Sequence, residues 1–340
     1  MRNDLVDATA DDFSSIQTNS TKAQPFKIAW PVLVVFSFFL LFGIIGNLLV
    51  IYVICSRQRL RNVTNFLLLN LAAADVLFLV IGGGFAMINY LFYEWPLGGI
   101  VCRLTHFLMF MTCYVSVYTL VAVTAVRYSI VVNGLQFMCV RTRCQGAFLI
   151  ASLWIIFLVA KIPVLLIHDI KKQEATGRIE CVIIGAKQGR HFFTTFFVFG
   201  YALPLSVIAS LNVLIVRYLR EKKRNLSNHS HVSPIQDRTR HVTKTVLIVV
   251  IVFAVVWLPL HLHLLITYSY GNGTLPNVKY YKIMVVVFHC FCFFSPVFNP
   301  IIYNFCSEEF RLTFKEVVFC IKSANIDNHP QDHNSPPVNV

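Results

Sequence analysis

IAWPVLVVFSFFLLFGIIGNLLVIYVICS, residues 28–56, runs from Lys27 to Arg57 without a single Asp, Glu, Lys or Arg. A helix crosses the hydrocarbon core of a bilayer in about 20 residues, so this stretch is long enough to span it. Six further runs follow at roughly 66–91, 104–126, 147–168, 191–216, 245–268 and 283–306, the second interrupted only by Asp75 and the fourth only by Lys161. A segment in lipid must satisfy its own backbone N–H and C=O groups, and the alternating pattern of a barrel strand is absent, so seven runs read as seven helices. The expected fold is an all-α membrane protein, a seven-transmembrane-helix bundle with a short amphipathic eighth helix.

Composition agrees. The 340 residues are 56% hydrophobic and 13% charged, whereas soluble domains hold about 45–50% apolar and about 25% charged residues. Soluble enzymes and nucleic-acid binders are thereby disfavoured. The formal charge of +13 has a membrane explanation: 17 of the 29 Lys and Arg residues fall in one set of loops, 11 in the other set, and Lys161 within a span. The richer set is expected to face the cytoplasm, which puts the N-terminus outside a multi-pass plasma-membrane protein and the C-terminus inside. Residues 1–30 carry Asp4, Asp7, Asp11 and Asp12 where a signal peptide would be basic, so the first span is expected to translocate the tail itself.

Four regions are expected: an extracellular tail 1–29, the bundle 30–306, an interfacial helix 307–320 and a disordered cytoplasmic tail 321–340. Phe310, Phe314, Val317 and Val318 recur at helical spacing, giving 307–320 one apolar face, and Cys320 at its end is a candidate palmitoylation site. Asn19 and Asn272 open sequons on the outer side; Asn62 opens one in an inner loop. Of the ten cysteines, eight lie in spans or on the cytoplasmic side, where thiols stay reduced. Cys102 and Cys181 remain outside, and their pairing is expected to pin the loop between spans four and five over the bundle.

Buried polar groups in a membrane helix need a partner or a function. Asp75 is the only acid in the apolar runs, and Asn47, Ser116 and Asn299 fall at comparable depth. A carboxylate with neutral oxygen-bearing neighbours suits sodium or a water network. Phe253, Trp257 and His261 form an i, i+4, i+8 stripe, which argues that Trp257 faces inward. Lys161, two residues before Pro163, is expected to snorkel to the outer interface; pairing with a ligand carboxylate is the other reading.

In register along the chain stand Gly46-Asn47, Leu71-Ala72-Ala73-Ala74-Asp75, Trp95-Pro96-Leu97-Gly98 before Cys102, Arg127-Tyr128, Trp154, Pro204, Phe253 with Trp257-Leu258-Pro259, and Asn299-Pro300-Ile301-Ile302-Tyr303. Across residues 30–320 this resembles the rhodopsin-like (class A) G-protein-coupled receptors. The resemblance implies a sodium and water site at Asp75, Asn47, Ser116, Ser295 and Asn299, and a toggle at Trp257. It implies a bulge at Pro204, a kink at Pro259, and an activation and coupling set of Arg127, Tyr128, Trp257, Pro259, Asn299, Pro300 and Tyr303. It also implies a heterotrimeric G-protein partner, with arrestin as a further one, and no cofactor beyond a bound sodium ion.

The chain departs from the family pattern at Val126, where an acid normally precedes the arginine, at Asn212, where a tyrosine is usual, and at Gly84, where span two often carries a proline. Val126 motivates an expectation of elevated ligand-independent activity. Met109 occupies the place where amine receptors present an aspartate, and span seven lacks the lysine a retinal Schiff base needs. A pocket of Met109, Trp257, His261, His263, Phe288 and His289 under a long lid suits a peptide with apolar, aromatic or amidated groups. The segments from His241 to His261 and from Asn299 to Arg311 look like the galanin and allatostatin-A receptor group, which implies a neuropeptide ligand and Gi/Go coupling. Other readings are an orphan or non-signalling receptor-like protein, a lipid receptor, and a transporter or channel. No catalytic constellation is present, so the chain is expected not to be an enzyme.

Overall fold

Each of the seven runs becomes a helix, and all but the first extend beyond the run at one or both ends. A computed structural model describes residues 29–56, 62–92, 94–133, 142–173, 177–226, 234–270 and 279–306. Span one is Ala29–Ser56. Span two joins Val63–Phe78 to Gly84–Leu91 through a π turn, Leu79–Gly83. Span three is Gly98–Tyr128, followed by a π turn at Ser129–Asn133, and span four is Arg143–Ala160 continued by Ile162–Ile167. Span five joins Ala186–Phe197 to Leu203–Leu226 through the π turn Val198–Ala202; spans six and seven are Pro234–Tyr270 and Lys279–Cys306. Asn19, Asn272, Cys320 and the expected helix 307–320 lie outside the described residues.

Local chemistry sets the ends and breaks. Asn65 N–H donates to Asn62 Oδ1 at 2.9 Å, so Asn62 caps span two. That gives the inner Asn62-Val63-Thr64 sequon a structural account. Thr142 and Gln145 form a reciprocal capping box at the start of span four. Pro204 follows directly on the π turn of span five, as expected where a proline removes an N–H from the helical ladder. Pro259 lies inside span six, and Pro296 and Pro300 inside span seven.

Span one packs on spans two and seven, six on five and seven, and span three on two, four and five, closing a ring with span three at its centre. Phe148, Ile155 and Val255 are bare on the outside, an apolar belt suited to lipid. Inside are two apolar clusters. One gathers Phe36, Phe78, Phe110, Tyr114, Phe196, Trp257 and Phe293; the other gathers Val50, Leu67, Leu71, Val123, Val126, Ile208 and Val250. The strands β1 (His168–Lys172) and β2 (Ile179–Ile183) pair antiparallel, with Ile170 opposite Cys181, as a hairpin lid over one end.

Candidate functional site

The lid is fastened at several points. Cys102, in the first turns of span three, is bonded to Cys181 of β2 across 79 residues, a closure on the order of 4 kcal/mol in the chain-entropy account. Trp95 N–H donates to Ile179 O at 2.9 Å, while its indole Nε1 donates to Gly98 O. Arg103 pairs with Asp169 at the end of β1. That approach needs a glycine beneath it, because a Cβ on Gly99 would come within 2.6 Å of Asp169 Oδ1. Arg103 and the Ile170 N–H hold the Asp169 carboxyl below the usual carboxylate range.

Beneath the hairpin, His106 of span three stacks on His168 at 4.2 Å between ring centroids. Each Nδ1 donates to a carbonyl four residues back, that of Cys102 or Val164. Burial, reinforced by His106, pushes His168 down to about 3, so it is neutral at physiological pH. Cys102, His106 and Cys181 bring three ligating atoms together, but both sulfurs are committed to the disulfide. Sequence reasoning passed over this pair; the signal was the i, i+4 spacing of His106 from Cys102.

Deeper in, the expected stripe is intact: Trp257 lies 6.0 Å from Phe253 and 6.0 Å from His261 between ring centroids. His261 is 1% exposed, ringed by Phe196, Phe197, Tyr201 and Trp257. Among the described residues its Nε2 has no hydrogen-bond partner. Of the expected pocket residues, His261 and His263 face different neighbours. His263 faces Phe288 of span seven and the Thr267 hydroxyl of its own helix, because two residues along a helix turn the side chain by about 200°. Met109 packs on Gly82, where a Cβ would come within 3.1 Å of its Cγ. The His289 side chain lies outside the described residues.

Lys161 corrects the snorkelling expectation. Its Nζ sits 3.0 Å from the centroid of the Tyr114 ring. Tyr114 is the seventeenth residue of the 31-residue helix of span three, about 24 Å along it. The ammonium therefore turns toward mid-bundle, where the ring face supplies a cation–π contact of roughly 2 kcal/mol.

Asp75 lies between the two apolar clusters. Ser116 Oγ donates to Asp75 Oδ1 at 2.9 Å and Asn299 Nδ2 to Asp75 Oδ2 at 2.7 Å. A cavity of about 20 Å³ adjoins them, lined also by Ser295, Trp257 and Phe253, enough for one water or a small ion. Asn47 departs from the expected set: its Nδ2 donates to Gly43 O and Pro296 O, tying span one to span seven beside the cavity rather than lining it. The oxygen-only donors, Asp75 with Ser116 and Ser295, fit a hard cation such as sodium.

At the far end from the lid, Arg127 and Tyr128 close span three, and Val126 is buried in the second apolar cluster. Asn212 is 3% exposed; its Nδ2 donates to Ile208 O, and its Oδ1 has no partner among the described residues. Pro300 packs over Gly46, where a Cβ would lie 3.1 Å from the proline Cγ. The Tyr303 side chain lies outside the described residues. A second network was missed: Trp154 donates to Asn70 Oδ1, and Asn70 Nδ2 to Thr119 Oγ1, joining spans two, three and four.

Comparison with known proteins gives one family. The profile described as 7 transmembrane receptor (rhodopsin family) matches residues 46–303. The chain is 31% identical over 293 residues to the allatostatin-A receptor of Bombyx mori, covering 84% of this chain and 78% of that protein. It is 33% identical over 294 residues to galanin receptor 2b of Danio rerio, at 86% and 76% coverage. With galanin receptor type 1 of Homo sapiens it shares 29% over 292 residues, at 85% and 81%.

Proposed function

Because the chain belongs to the rhodopsin family of seven-transmembrane receptors, we propose that it binds an extracellular neuropeptide at its lid end and signals to a heterotrimeric G-protein at the other. It is a multi-pass membrane receptor and not an enzyme. The observation that carries the ligand reading is His261: a buried imidazole nitrogen without a partner, caged by four rings under a disulfide-pinned hairpin. Such a group is costly to leave unpaired. A peptide carbonyl or amide reaching past Phe196 satisfies it, and the rings supply contact area for aromatic side chains. An amine ligand finds no counter-ion at Met109. The receptors for galanin and for allatostatin-A among the relatives support the peptide class.

The finer reading is coupling to Gi/Go proteins, raised basal activity from Val126, a sodium ion held by Asp75, Ser116 and Ser295, and arrestin as a further partner. The ion would supply positive charge to the carboxylate that Asn299 also engages. The test is expression of the full chain in cells, exposure to amidated peptides of the galanin and allatostatin-A types, and measurement of cAMP and calcium. A cAMP decrease that His261→Ala weakens about tenfold or more supports the reading; silence across a broad peptide panel overturns the peptide assignment. A receptor-like protein that no longer signals is the second reading, favoured by the unpartnered Asn212 Oδ1 in a tyrosine's place. Agonist-dependent nucleotide exchange excludes it.

A further inference from the structure

Lys161 is a cation turned toward mid-bundle that, among the described residues, pairs with no carboxylate. Its ammonium lies on the Tyr114 ring, and that ring is walled by Phe157 at 5.3 Å and Phe196 at 6.0 Å. All three rings are buried, the most open of them 8% exposed. Asp75, the one acid in the apolar runs, is occupied by Ser116 and Asn299. A ring face attracts an ammonium but cannot neutralise it, so an intramembrane lysine in this setting calls for an anion.

Two independent observations say where the anion comes from. Phe196 also touches His261, at 4.4 Å between ring centroids, so two rings, Tyr114 and Phe196, link the cation to the imidazole nitrogen that has no hydrogen-bond partner among the described residues. At the mouth, Arg103 and Arg178 engage Asp169 and Glu180. Lys171 and Lys172 on β1 and Lys187 at the start of span five are exposed there. Cations at the rim and one at the floor make a field that draws an anion inward from the lid side.

We propose that Lys161, backed by Tyr114 and Phe157 and gated by Phe196, is a carboxylate-binding subsite, and that the activating peptide therefore carries an acidic side chain or a free C-terminus. This rests on the reading of the chain as a peptide receptor. Phe196, which touches both Tyr114 and His261, lies between the two groups, one for charge and one for a hydrogen bond. The basic lid edge sets the direction of approach, and the subsite separates acidic from fully neutral peptides.

The full-length chain, expressed in cells, is exposed to synthetic peptides of the galanin and allatostatin-A types. Each is made twice, with its carboxylates free and with the same groups as amides, and nucleotide exchange is recorded. The acid form should be at least tenfold more potent on the unmodified chain. The gap should close in Lys161→Gln and survive in Lys161→Arg, with surface amounts measured for each. Where Lys161→Gln fails to reach the surface, the acid-against-amide comparison on the unmodified chain and on Lys161→Arg decides. Equal potency of acid and amide forms, or an equal loss for both in Lys161→Gln, overturns the subsite and leaves the peptide receptor standing. Silence toward every peptide overturns both, and a response to oleate alone assigns the lysine to a bilayer lipid instead.

Discussion

The proposed basal activity rests on one side chain, Val126. It is 5% exposed in a cluster with Leu71, Val123, Ile208 and Val250, so the residue before Arg127 contributes packing where the family places a charge. Without that carboxylate one electrostatic restraint on the arginine is missing. Val126→Asp should lower ligand-independent nucleotide exchange several-fold at equal surface expression; exchange equal to or above that of the unmodified chain overturns the basal-activity reading. Asp75 gives a second expectation at this scale. If its carboxylate, Ser116 and Ser295 hold sodium, replacing sodium by choline in the medium should alter agonist potency in the unmodified chain and not in Asp75→Asn. Both positions were legible beforehand, since a lone acid in an apolar run and a valine in a charged motif stand out by residue type. Asn47 was misplaced for the opposite reason. Its partners, Gly43 O and Pro296 O, are backbone atoms that no sequence pattern marks.

Among the elements, the lid and the end of span six are where fastening can be tested. Arg190 donates to the carbonyls of Tyr268 and Ser269, closing the last turn of span six from span five. Gly189 makes that approach feasible, because a Cβ there would come within 2.4 Å of the Tyr268 ring. Arg190→Ala should therefore loosen the outer turn of span six, read as faster amide hydrogen exchange at residues 266–269 with span three unaffected. Cys181→Ser should abolish surface expression or agonist response; normal behaviour would refute the bridge as a structural requirement. The hairpin also carries a pH dependence. His168 is held at about 3, below its unfolded value near 6.5. It thus stabilises the fold fully above pH 6.5, and that contribution is lost as pH falls from 6.5 toward 3, at up to about 1.4 kcal/mol per unit. His168→Phe should flatten the acid side of a thermal-stability profile; an unchanged acid limb would count against the assignment. Helical period predicted the Trp257 stripe because i, i+4 spacing fixes a face. It could not predict that His106 meets His168, or that Lys161 turns onto Tyr114, because those contacts depend on how spans three and four are rotated against each other.

For the molecule as a whole, orientation follows from where charge can and cannot cross a bilayer. The basic residues are enriched in the loops opposite the lid, 17 against 11, and the disulfide between Cys102 and Cys181 belongs in an oxidising compartment. The two arguments use different residues and both support the proposed orientation, with the lid end outside. In that orientation seven spans would put the first tail on the lid side and the last on the other. Acidic residues such as those before span one resist translocation little, whereas the Arg57, Arg59 and Arg61 cluster after span one strongly resists it. An epitope placed before Met1 should therefore be stained in intact cells and one placed after Val340 only after permeabilisation. Changing Arg57, Arg59 and Arg61 together to Gln should raise the fraction with the reversed tail. If the N-terminal epitope needs permeabilisation in the unmodified chain, the assignment of the lid, the peptide and the G-protein to their respective sides fails together.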